Sequence, residues 1–186
     1  SYTGGALPSD DDRLLVVEGT QTVNTNVGAL AAINLQEVII GAGFRGTFGT
    51  ASASIQLQIS NETTVSNPKL VIEGGSVVNI TSATALDEVQ IDNRVGGRVT
   101  LAGGTFSLVK NFNGALHVDS SATVTELHYA SGITNLVAGS AMNVLRGFGG
   151  TLTTARSTVT TDLYPGANDR YTDSSAATTI NNSGGN

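Results

Sequence analysis

The sequence predicts an all-β, single-domain parallel β-solenoid (β-helix) with laps of about 18 residues and polar terminal arms. Three observations predict it. Of the 186 residues, 39 % are hydrophobic and only 13 % charged, and 23 are glycine. Small polar residues and glycine between short apolar runs favour strands and tight turns over helices. Next, Gly97, Gly114, Gly132 and Gly150 open successive laps at nearly constant spacing, and Gly166 follows about one lap later. Finally, Phe112, Tyr129, Phe148 and Tyr164 each stand two or three residues before the glycine that opens the next lap. A fixed period of this length marks coils that stack on one another, because one lap alone cannot bury its apolar side chains. An antiparallel sandwich or barrel, with short strands every 8–12 residues or so, is the competing architecture.

Taken in chain order, residues 1–13 form a polar arm carrying the run Asp10-Asp11-Asp12. Residues 14–166 form the solenoid. Within it, Val27, Leu30, Ala31, Leu35 and Val38 have a spacing that would suit one or two helical turns over 27–39. The next stretch, "EVIIGAGFRGTFG", contains Gly41-Ala42-Gly43-Phe44-Arg45-Gly46, the spacing of a dinucleotide-binding fingerprint. That motif needs a helix after its third glycine so that free amides face a pyrophosphate. Instead Ile55, Leu57 and Ile59 alternate with Gln56 and Gln58, which is strand periodicity. The glycines therefore predict a turn between strands. "LVIEGGSVV" and "EVQIDNRVGG" repeat the strand–turn–strand character, and four laps follow from Gly97. In these, Val99 and Leu101, Leu116 and Val118, and Leu136 are the predicted inward positions. Residues 167–186 are almost devoid of large apolar side chains and predict a polar tail.

Composition narrows the chemistry. The net charge is −6 with nine Lys and Arg, and no basic run appears, so phosphate-backbone recognition is disfavoured. Without cysteine there are no disulfides or thiolate metal sites. No apolar stretch approaches the roughly 20 residues of a membrane-spanning helix. Paired carboxylates for glycoside chemistry would have to lie about 5–9.5 Å apart. The candidates are Glu73, Asp87, Glu88, Asp92, Asp119, Glu126 and Asp162. Asp92 and Asp119 lie in turns but are separated by one and a half laps, and should not stack. His117 and His128, about two-thirds of a lap apart, should fall on different faces. Consecutive aspartates without the spaced ligands of a calcium loop read as a solvated run. Arg94, Arg98, Arg146 and Arg156 read as scattered cations able to pair with acids of a neighbouring subunit. The aromatic series reads as one corner stack, or as an outward stripe that another chain would cover. No catalytic, cofactor or metal site is expected.

With "EVIIGAGFRGTFG", "KLVIEGGSVV", "EVQIDN" and "VTLAGGTFSLV" in view, the sequence resembles the β-helical head-decoration (cement) proteins and other small virion structural proteins of tailed bacteriophages. The resemblance spans about residues 35–165 and rests on strand and turn patterns. It implies a non-enzymatic protein on the outer surface of the capsid. Its partners would be the major capsid protein and, in a homotrimer, its own copies. An adhesive or carbohydrate-binding surface or spike domain would use the same fold.

Overall fold

The computed structural model describes residues 12–23, 34–59, 69–164, 170–173 and 177–182, the last two segments as backbone only. All described strands pair in parallel, and stacked coils of about 19 residues build a β-solenoid. The chain alternates between two sheets. The first face stacks β1 (Arg13–Gly19), β3 (Glu37–Phe44), β6 (Lys69–Ile72), β8 (Leu86–Asp92) and the second half of β9 (Arg98–Asn113). It continues through β11 (Ala122–Tyr129), β13 (Met142–Gly147), β15 (Thr158–Leu163) and β17 (Ala177–Asn182). The second face stacks β2 (Thr22–Val23), β4 (Thr47–Phe48), β5 (Ile55–Leu57), β7 (Val77–Ser82) and the first half of β9. Above these lie β10 (Ala115–Val118), β12 (Ile133–Leu136), β14 (Thr151–Thr154) and β16 (Arg170–Asp173).

Strand alternation sends every second side chain inward, and stacking turns those positions into continuous columns. On the second face, Ile80, Leu101, Val118, Leu136 and Thr154 occupy one register position on successive coils. On the first face, Val38, Leu70, Val89, Val109, Leu127, Leu145 and Thr161 do the same. All twelve are buried. The apolar members form one core cluster between the sheets, and a backbone ladder on both sides of each interior rung protects it from edge pairing.

The lap-opening glycines are fixed by geometry. Gly132 and Gly150 have φ of 76° and 90°, the left-handed region. A Cβ on Gly132 would also stand 2.2 Å from the carbonyl oxygen of Gly114 on the coil below. Corner turn and close stacking both demand glycine here, which is why the residue marks each lap.

As expected, no helix follows Gly46; the chain enters β4 directly. Three other expectations change. Gly41 and Gly43 lie inside β3, not in a turn, where β3 carries an extra residue relative to β1 between Ile40 and Gly43. A Cβ on Gly43 would meet the Val17 carbonyl oxygen at 2.8 Å, so these glycines permit coil stacking. Of the helical spacing over 27–39, residues 27–33 lie outside the described residues. Leu35 makes a bridge to Ile59, and Glu37 onward is strand, so extended pairing prevails over the helical period there. Lastly, β16 and β17 pair with β14 and β15, so both sheets continue past the expected boundary at 166. Backbone ladders carry that extension, and they need no large apolar side chain. Residues 1–11 of the N-terminal arm, including Asp10 and Asp11, lie outside the described residues.

Candidate functional site

The structure disperses the carboxylates and gives most of them a cation. Asp92 ends the first-face strand β8 and accepts from Arg94 Nε at 2.8 Å. Asp119 follows the second-face strand β10, at the opposite corner, and caps the Ser120 amide at 2.7 Å. It follows the last paired position, Val118, and on the neighbouring coils Ala102 follows Leu101 and Val137 follows Leu136, so no acid stacks on it. Glu73 and Asp87 are exposed. His117 stands on β10 and His128 on β11, on different sheets. Among the described residues, no three His, Asp or Glu side chains are grouped to hold a metal ion.

Outward positions of the first face instead make charged columns. Arg13, Glu37, Lys69 and Glu88 share one register position on four coils, with alternating sign. Arg13 Nε donates to Glu37 at 2.7 Å, and Lys69 Nζ lies 3.7 Å from the same carboxylate. Two positions along, Gln90, Lys110, His128, Arg146 and Asp162 form a second column. Lys110 donates to Glu88 at 2.9 Å. Glu126 accepts from Arg146 and lies 2.6 Å from His128 Nε2, while Arg146 Nε also stands 3.6 Å from Asp162. Burial pushes the Glu88 carboxyl up. Hydrogen bonds from Gln90 and Lys110, with the charges of Lys110 and Lys69, outweigh it and leave the group below its ordinary value. Of the four arginines, Arg94 and Arg146 thus pair within their own chain, Arg98 is exposed, and Arg156 is buried.

The aromatic series splits in two. Phe112, Phe148 and Tyr164 are 47 %, 43 % and 38 % exposed, whereas Tyr129 is 1 % exposed. The pairing explains the split. Tyr129 shares its position with Asn111 below and Gly147 above, an inward column, while Phe112 and Phe148 come one residue later. A shift of one residue reverses the face. Ala130 therefore occupies the outward position between Phe112 and Phe148. The inward Tyr129 ring fills the space that Gly147 leaves; a Cβ on Gly147 would stand 2.3 Å from the Tyr129 hydroxyl. Outside, Phe148 and Tyr164 stack with centroids 4.7 Å apart and planes 3° from parallel. The His128 and Phe148 rings meet edge-to-face, at 6.0 Å and 70°. The result is a fixed strip of exposed aromatic rings beside the Glu126–His128–Arg146–Asp162 cluster.

Sequence reading missed Arg156. Its side chain points into the solenoid corner, where Nε donates to the Val137 carbonyl at 2.8 Å and Nη1 to that of Ala122 at 2.7 Å. Nη2 donates to the carbonyl of Asp119. Gly139 makes the room, since a Cβ there would lie 3.0 Å from Nη2. Burial lowers the guanidinium pKa, opposed by the charge of Asp119. One side chain thus ties together turns of three successive coils. The trace it leaves in the sequence is Gly139 in "VAGS", a glycine whose need becomes clear only with the guanidinium in place.

Comparison with known protein families, characterised proteins and solved structures found no match to this chain.

Proposed function

We propose that the protein is a structural virion component, a head-decoration or cement protein that binds the outside of an assembled phage head and stabilises it. The observation that supports this reading is the exposed aromatic strip of Phe112, Phe148 and Tyr164. Aromatic side chains anchor protein interfaces, and rings held on a sheet lose little freedom on binding. The stacking favours a protein partner over a sugar. Sugars bind aromatic residues across an open ring face, and Phe148 has one face on Tyr164 and a further contact with the His128 ring. Phe148 therefore offers a partner mainly its ring edge, which suits an apolar pocket on another protein surface. Paired charges beside it would form the polar rim of such a contact.

In this reading the partners are the major capsid protein and two further copies of the chain, and no catalytic step is involved. The N-terminal arm reaches the shell or a neighbouring protomer, since residues 170–173 and 177–182 of the expected tail extend the two sheets instead. The adhesive or carbohydrate-binding domain is the second reading.

The test is electron microscopy of shells incubated with the full chain, alongside the double variant Phe112→Ser/Phe148→Ser. Trimeric density on the outer surface, lost by tenfold or more in the double variant while its circular dichroism is unchanged, is the expected result. A monomer that leaves shells bare but is retained by an oligosaccharide array would transfer the assignment to the adhesive reading.

A further inference from the structure

The chain contains a single Asn-Gly dipeptide, Asn113-Gly114, at the corner that leads from the first face to the second. Asn-Gly is the dipeptide in which a backbone amide most readily attacks the preceding side chain, because glycine places no Cβ beside the reacting nitrogen. A folded β-corner ordinarily prevents this by holding side chain and amide apart. Here the opposite arrangement holds. The Gly114 amide nitrogen lies 2.9 Å from Oδ1 of Asn113 itself. The five atoms of the future ring, from Gly114 N round to Asn113 Cγ, are therefore already curled back on themselves. Both residues are half-buried at the surface of the corner, within reach of water.

We propose that Asn113 is a site of spontaneous, self-catalysed deamidation in the folded protein. Hydroxide removes the Gly114 amide proton, and the nitrogen attacks Asn113 Cγ. The N–Cγ bond forms, the Cγ–Nδ2 bond breaks, and Nδ2 leaves as ammonia after taking a proton from water. Water then opens the five-membered imide at one of its two carbonyls. Opening at one restores the ordinary backbone with aspartate at 113. Opening at the other routes the backbone through the former side chain as isoaspartate. No oxidant or reductant is consumed.

The location gives the change a consequence. The register partner of Asn113 on the previous coil is Asp92, so either product sets a second carboxylate beside an existing one. The Asn113 carbonyl also accepts the Asn93 amide at 3.1 Å, and the Gly114 carbonyl accepts the Ile133 amide at 3.0 Å. The extra backbone carbon of isoaspartate disrupts a corner stitched to the coils on both sides. Deamidation would therefore act as a slow clock that loosens the middle of the solenoid.

The experiment incubates the full native chain at 37 °C and mildly alkaline pH and follows peptides by mass, with isoaspartate detected by its methyltransferase. A short free peptide spanning 110–117 sets the unhindered rate. The expected result is a gain of about 1 Da confined to the Asn113 peptide, at a rate within about tenfold of the free peptide. Asn93, Asn111 and Asn135, each followed by a larger residue, serve as internal controls. Asn113→Gln should abolish the gain, since glutamine closes a six-membered ring far more slowly. A folded-state rate more than tenfold below the peptide, or deamidation first at a control asparagine, would overturn the proposal.

Discussion

The coils before Arg98 and those after it share one backbone design and differ in what fills it. On the first face the early register steps are unequal, since Arg13 pairs with Glu37 and Glu37 with Lys69, a much longer excursion. Their interior is mainly aliphatic and aromatic: Val38, Ile40, Phe44, Phe48, Ile55 and Ile72 are all buried, and the buried polar side chains Asn79, Ser82 and Asn93 bond to backbone carbonyls. The later steps, Leu108 to Glu126 to Val144 to Thr160, each stay close to one lap. There polar side chains enter the interior beside Leu127, Leu136, Leu145 and Leu152, with Thr134, Thr154, Arg156, Thr158 and Thr161 buried. Hydrogen bonds supplement packing: Asn111 Nδ2 to Thr134 at 2.9 Å, Thr158 to Thr161 at 2.8 Å, and the Arg156 amide to Thr154 at 3.0 Å. The difference has a physical reason. Hydrophobic burial has no direction, so it can hold coils of unequal length. Hydrogen bonds need a set distance and angle, so a polar interior is stable only where successive coils repeat faithfully.

The largest effect should come from placing a charge in the apolar part of a column whose far end is polar. Leu101 and Thr154 belong to the same column. Leu101→Asp strands an unpaired carboxylate among Val99, Val118 and their neighbours, and should cost upwards of about 4 kcal/mol or prevent folding. Thr154→Asp keeps a side-chain oxygen to accept from the Arg156 backbone amide and should cost distinctly less. Urea unfolding of both variants measures the gap, and equal losses would erase the distinction between the two halves.

Removing the polar centre of the later coils should rank next. Arg156→Met keeps much of the volume but removes the side-chain donor to the carbonyls of Val137 and Ala122, while that of Asp119 keeps the Ala122 amide at 3.1 Å. A loss of about 3 kcal/mol is expected, the cost of two buried acceptors deprived of this donor. Protection from hydrogen exchange should fall at residues 119–122 and 137–141 and persist in the early coils. Uniform loss along the chain would show that Arg156 holds no local unit.

A third variant tests the fit between coils. Gly147→Ala drives a methyl into the Tyr129 ring and should cost about 2 kcal/mol, within the range for overpacking. Tyr129→Leu in the same chain should restore most of it. If the double variant is no more stable than Gly147→Ala alone, the two residues are not packing partners.

That pair also shows how much was legible in the sequence. The lap length and the inward positions Leu101, Val118 and Leu136 could be read because stacking imposes the same requirement on every coil. The split of the aromatic series was legible in principle. Phe112, Phe148 and Tyr164 precede their lap glycine by two residues and Tyr129 by three, and in a strand that one residue is the difference between out and in. The inward Arg156 was not legible in that way. Its three acceptors are backbone carbonyls, which carry no residue type, and they lie 19 to 37 positions away along the chain. The charged ladder fell between these cases: Glu88–Lys110 and Glu126–Arg146 are 22 and 20 residues apart, close to a lap, but only the true register shows that they meet. The exposed strip needed the same register, since composition alone cannot tell a core aromatic from a surface one.

The smallest expected effect is a dependence on pH that separates the two faces. On the second face, His117 Nδ1 stands 3.2 Å from Asn135 Nδ2 and can accept its hydrogen bond only when that nitrogen is unprotonated. Burial, and then the charge of Arg98, lower the His117 pKa below 6.5, against the opposing charge of Asp119. The unfolded chain therefore takes up this proton first as the pH falls. Stability from His117 is full above 6.5 and is lost as the pH drops through the folded-state value. On the first face, Glu88 has its pKa lowered below 4.5, so its contribution is full above 4.5 and is lost only in stronger acid. Urea midpoints measured from pH 8 to pH 3 should decline in two stages, the upper one belonging to His117. His117→Gln keeps an acceptor for Asn135 and removes the titration, so it should flatten the upper stage and leave the lower one. A decline that is identical in the variant would place the upper stage elsewhere, and a midpoint that rises on acidification would reverse the sign assigned to His117.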